Sequence, residues 1–145
     1  MEDLWPDDIS FNAIKAPVAI LKEQAALLGK KTNKIVTAKI TRRTNETFKP
    51  FMYTFHLVAP ALQNYHYRLF SIGHDINLYP VTFHIDTDIR KELHPGKEPF
   101  EFTAENEDDF ISLLRQILKS KKTKFIIESI LAQSLGFDKE ERLAS

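Results

Sequence analysis

The sequence predicts an α+β fold: a four- to five-stranded antiparallel meander sheet with one N-terminal helix and two C-terminal helices. Three observations lead there. Residues 35–86 alternate apolar and polar side chains in four successive stretches, and a period of two puts every second side chain on one sheet face. Residues 17–28 and the chain beyond 106 instead space apolar residues by three and four, the period of a helix. Short turn-forming segments separate the alternating stretches, so strands adjacent in sequence are expected to pair.

Residues 1–16 read as an irregular N-terminal arm, with Leu4, Trp5, Ile9, Phe11 and Ile14 as anchors onto the core. Pro17 suits a first helical position, where its missing N–H has no partner to lose. Val18, Leu21, Ala25 and Leu28 follow a helical stripe, and Gly29 offers the left-handed stop. The first strand is expected over 34–43, the turn at Asn45-Glu46-Thr47, and the second strand over 50–58. Pro50 stands at the start of that strand, where a missing donor is tolerated. The third strand is expected over 65–73, and the fourth over 80–86 after a turn from His74 to Leu78.

Residues 87–99 are charged and contain His94-Pro95-Gly96, a loop signature. Phe100 and Phe102 suggest a short fifth strand. Asn106 is placed to cap a helix whose first turn is acidic, Glu107, Asp108 and Asp109. Phe110, Leu113, Leu114, Ile117 and Leu118 then form an amphipathic stripe. Thr123 is expected to cap the last helix, Gly136 to end it, and the tail 138–145 to be frayed.

Composition narrows the function classes. The 145 residues suit a single α+β domain, 1–145, able to bury roughly 70% of its unfolded surface. Cysteine is absent, which removes disulfides, thiolate metal sites and cysteine nucleophiles together. The first eight residues are acidic, unlike a secretory leader, and no apolar run approaches the roughly 20 residues that span a bilayer. A cytoplasmic protein with no membrane contact is the expectation. The zero net charge hides separated blocks: −3 over 1–29, +7 over 30–74, −7 over 75–109 and +3 over 110–145. Such blocks either neutralise one another on folding or orient a partner.

Regular pairing of the strands sets a candidate surface. Matching apolar faces puts Ile40 opposite Tyr53, Ala38 opposite Phe55 and Thr37 beside His56. The next hairpins then set His56 opposite His66, Arg68 opposite His84, and His66 opposite Asp86. The face away from the tyrosines carries a row of Thr37, His56, His66 and Asp86 and a row of Lys39, Thr54, Arg68 and His84. Met52, Val58, Phe70 and Ile72 share it, too apolar a set for an open surface. Its cover would be the chain's own helices or a second subunit. The candidate ligand- or partner-binding residues are therefore His56, His66, Arg68, His84, Asp86, Lys39, Met52 and Phe70.

No catalytic or metal-binding residue is assigned, and no cofactor is expected. Gly29-Lys30-Lys31-Thr32 lacks the first glycine of a phosphate-binding loop, since position 24 is Gln24. Asp86-Thr87-Asp88 is a turn carrying two carboxylates, and metalloprotease and hydrolase motifs are missing. The expected function is a small, non-catalytic binding module acting through a protein partner and self-associating as a homodimer. One alternative is a nucleic-acid or other polyanion binder using Lys39, Arg42, Arg43 and Arg68. Another is a metal-dependent hydrolase built on His56, His66, His84 and Asp86.

Overall fold

The computed structural model describes residues 1–11, 14–43, 49–96 and 100–144, with side chains as far as residue 137. The expected turn at Asn45-Glu46-Thr47 lies outside the described residues. The chain runs α1 (Pro17–Lys31), β1 (Thr37–Arg43), β2 (Phe51–Ala59), a single 3₁₀ turn (Pro60–Leu62), β3 (Tyr65–His74), β4 (Val81–Ile85), α2 (Thr87–Leu93), β5 (Phe102–Ala104), α3 (Glu107–Leu118) and α4 (Lys121–Ala144). The five strands form one sheet in the order β1-β2-β3-β4-β5, with every neighbouring pair antiparallel. The α+β meander is as expected, except that four helices accompany it instead of three.

The added helix is α2. Asp86 caps it, its Oδ1 accepting the Ile89 N–H at 2.8 Å. Ile89 is fully buried and Leu93 packs half-buried against the core, an apolar anchor for a segment whose other residues are polar. The charged composition of 87–99 conceals that anchor. At the end of α1, Gly29 stays helical and the stop comes at Thr32, whose hydroxyl donates to the Leu28 carbonyl at 3.0 Å. Asn33 and Lys34 then take left-handed backbone angles (φ 51° and 63°).

Asn106 caps α3 as expected, accepting the Asp109 N–H at 2.9 Å. For α4 the cap is Ser120, not Thr123: its Oγ accepts the Thr123 N–H at 3.2 Å. The Thr123 hydroxyl instead donates back to the Ile117 carbonyl at 2.8 Å, which also accepts the Ser120 N–H at 3.2 Å at the end of α3. Gly136 does not end α4, which runs to Ala144. One glycine costs a helix only about 1 kcal/mol relative to alanine, too little to halt a long helix.

All four helices bury residues into one core with one side of the sheet. Ile20 and Leu21 of α1, Ile89, the α3 residues Phe110, Leu114 and Ile117, and the α4 residues Ile126 and Ile130 meet Phe55, Leu57, Phe70, Ile72 and Phe83. Phe55, Phe70, Phe83 and Phe110 form a chain of rings at successive centroid distances of 5.2, 6.0 and 5.2 Å.

The β2–β3 register decides which residues reach that core. Phe55 pairs with Phe70, yet His56 pairs with Arg68. Leu69 is therefore an extra residue, a β-bulge in β3, and it changes which side chains share a face. Phe70 and Ile72 turn into the core, with Ser71 and Gly73 on the opposite face. The expected placement of Phe70 and Ile72 among the histidines is thus corrected. The β1–β2 pairing differs as well: Ile40 opposes Phe55 and Thr37 opposes Val58, a shift of two residues that preserves the faces.

Candidate functional site

The sheet face opposite the helices is polar and basic. Across β1, β2, β3 and β4 its central row reads Thr41, Thr54, Ser71 and His84. Beside it lies the row Lys39, His56 and Arg68, and beyond that Thr37, Val58 and His66. Of the predicted residues, Lys39, Met52, His56, His66, Arg68 and His84 are thus on one face, but in different rows. Lys39 faces His56, as neighbours in the ladder.

Hydrogen bonds tie the centre together. The Thr54 and Ser71 hydroxyls lie 2.9 Å apart, and Ser71 Oγ accepts from Arg68 Nη2 at 3.0 Å. Thr54 is 4% exposed and Ser71 fully buried, although this is the side away from the helices. These two small hydroxyl residues sit low in the pleat, and the longer neighbouring side chains rise around them. Thr41 Oγ1 and His56 Nε2 are 3.0 Å apart in a second bond. The His56 and His66 rings approach to 5.8 Å between centroids, tilted by 57°.

Met52 is on this face and buried, but it is not a greasy patch. The Lys49 stem runs over Gly73, where a Cβ would meet Lys49 Cγ at 3.2 Å and Met52 Cγ at 3.6 Å. The Lys49 ammonium is held 3.1 Å from Asp75. The lysine stem and the methionine thus both close over Gly73, while the lysine's charge reaches out to Asp75.

Asp86 does not join the histidines. It lies past the end of β4, where its carboxylate caps α2. Its charge is felt by Tyr67, whose phenol is pushed up first by burial and then by Asp86. The expected His66–Asp86 contact is therefore replaced by the opposition of His66 and Val58. Among the described residues, no group of three or more His, Asp or Glu side chains is placed to hold a metal ion. The hydrolase reading needs that carboxylate beside the imidazoles, and loses its support with it.

Positive charge dominates the remainder. Burial lowers the His56 pKa from its ordinary 6.5, and His66, Arg68 and Lys39 lower it further. Burial also lowers that of His84, followed by Arg68 and Arg43, against an opposing pull from Glu101 and with a small addition from Arg90. Both rings thus resist protonation in the folded chain. An unfolded chain takes up protons at these positions as pH falls below about 6.5, while the folded chain does so only at lower pH. Stability is accordingly fully present above that pH and declines as pH drops towards the depressed folded values. Urea midpoints measured from pH 7.5 to 5 should fall with acidity, and the fall should shrink in His56→Gln/His84→Gln. Midpoints that rise on acidification through this window would contradict the arrangement.

Ser71 belongs to the face but was not among its predicted residues. Its signal was present in the strand itself: Leu69-Phe70 is an apolar doublet after which the alternation resumes with opposite parity. No family model matches the chain, and neither curated proteins nor solved structures provide a match.

Proposed function

We propose that this chain is a non-catalytic binding module whose basic sheet face engages an acidic surface of a protein partner. The observation that carries this reading is the pairing of Arg68 with the buried Ser71–Thr54 hydroxyls. A guanidinium fixed from below keeps its remaining donors aimed outward, and a planar fork of this kind matches carboxylate geometry. Exposed Lys39 and Arg43 extend the charge across β1. Phe70 and Ile72 lie in the core, so this face no longer supplies an apolar reason for a homodimer.

An acidic partner would favour the protonated forms of His56 and His84. Binding would then take up protons and tighten as pH falls from 7 towards 6. The test is a titration of the isotope-labelled chain with poly-glutamate at low salt, followed by amide shifts. Shifts should centre on Lys39, His56, Arg68 and His84 and weaken with added salt. Replacing Arg68 by glutamate should reduce affinity about ten- to a hundredfold, as expected for loss of a charge-assisted bond. No response at low salt, or an equal response from Arg68→Glu, would sink the reading. A stronger response to a single-stranded oligonucleotide on the same amides would favour the polyanion alternative. Tyr65 and Tyr67, the aromatic residues available for base stacking, belong to the other face.

A further inference from the structure

The helices do not close completely over the sheet. The C-terminal half of α1 and the α3–α4 junction leave a cleft of about 870 Å³, floored by Phe55, Leu57 and Leu69. Leu27 and Ile127 stand on its walls, and Leu27 remains 55% exposed. Lys30, Lys31, Lys119 and Lys124 ring the mouth, with Glu128 as the acidic group among them. The volume is that of a ligand site, and an apolar floor beneath a cationic rim selects an occupant both apolar and anionic.

The same chain carries a segment of that chemistry. Residues 1–11 contain Glu2, Asp3, Asp7 and Asp8 and no basic side chain. Interleaved with them are Leu4, Trp5, Ile9 and Phe11, between 60% and 95% exposed. The sequence expectation that these residues anchor onto their own core is therefore overturned. An aromatic and aliphatic set left in water beside four carboxylates has the composition of a docking segment.

The root of the arm is tied down near the end of α3 remote from the cleft. The Tyr79 hydroxyl donates to the Lys15 carbonyl at 3.2 Å, and Tyr79 packs edge-on against Phe110 at the start of α3. The cleft opens at Leu118, the other end of α3, about 12 Å away by helical rise. To fill its own cleft the arm would have to double back along α1.

We propose that the acidic arm of one copy docks in the lysine-rimmed cleft of a second copy, and reciprocally, giving a two-fold exchanged dimer. Each copy offers one arm and one cleft, so the exchange closes with two chains. An aromatic side chain buries about 150–250 Å². Two arms, each carrying Trp5 with flanking Leu4 and Ile9, would bury on the order of 1,000 Å², the scale of a specific interface. The basic sheet face takes no part in this contact, so the two proposals stand or fall separately.

Trp5 is the sole tryptophan and reports directly on the arm. In the full chain its emission should shift to the blue with rising concentration, in step with a monomer-to-dimer transition seen by sedimentation. The variant Leu27→Glu/Lys124→Glu alters two exposed positions, so it should keep its far-ultraviolet dichroism while weakening dimerisation at least tenfold. Trp5 emission that stays red at every concentration would overturn the proposal, because the arm then remains in water. Blue emission in a strict monomer would overturn it in favour of the chain's own cleft. A dimer unaffected by the double substitution would overturn the cleft as the docking place.

Discussion

Phe70→Ala should destabilise the fold by about 3–5 kcal/mol, the usual cost of removing a large buried ring. Phe70 is 1% exposed and packs between Phe55 and Phe83 in the chain of rings that joins β2, β3 and β4. Truncation would open a cavity in the middle of that chain, and close-packed neighbours relax into such a space only partly. The result also discriminates between registers. A regular ladder through β3 would put Phe70 on the basic face, where a substitution usually changes stability by no more than about 0.5 kcal/mol. Urea unfolding of the two proteins settles the matter, and a loss below about 1 kcal/mol would argue against the bulge at Leu69.

Phe110→Ala should cost a similar amount, about 3–5 kcal/mol, for a different reason. Its ring is fully buried and joins α3 to the sheet, 5.2 Å from Phe83 and 6.3 Å from Tyr79 between centroids. Aromatic pairs of this kind add about 0.5–1.5 kcal/mol beyond area burial. For a chain of this length, such a loss corresponds to a melting temperature lower by roughly 6–20 °C. The change should also loosen Tyr79 from the Lys15 carbonyl and so free the root of the acidic arm. A melting temperature within a few degrees of the parent would show that α3 is held to the sheet by something other than this ring.

The two phenylalanines differ in how far the chain announces them. Phe110 opens an amphipathic stripe immediately after a capping asparagine and three acids, and each of those signals is local. A helix periodicity survives any tertiary arrangement, so its buried face could be read in advance. Phe70 follows Leu69 within an otherwise alternating strand, and periodicity by itself allows either residue to face inward. The bulge resolves it by burying both. The candidate surface shared that difficulty: Lys39, His56, His66, Arg68 and His84 do lie on one face, while Phe70 and Asp86 leave it. Asp86 left because its carboxylate could cap the Ile89 N–H, a partner available only once residues 87–93 became helical.

What the amino-acid order determined unaided was the fold class, the order of the strands and of three of the four helices, the meander, and the basic character of the 30–74 block. These follow from side-chain period, turn residues and charge, all of which act between near neighbours. Tertiary structure alone decided strand register, the row to which each histidine belongs, and the cleft between α1 and α4. Those features depend on how separate segments share one core, and the energy that selects among such pairings is spread over residues far apart in the chain.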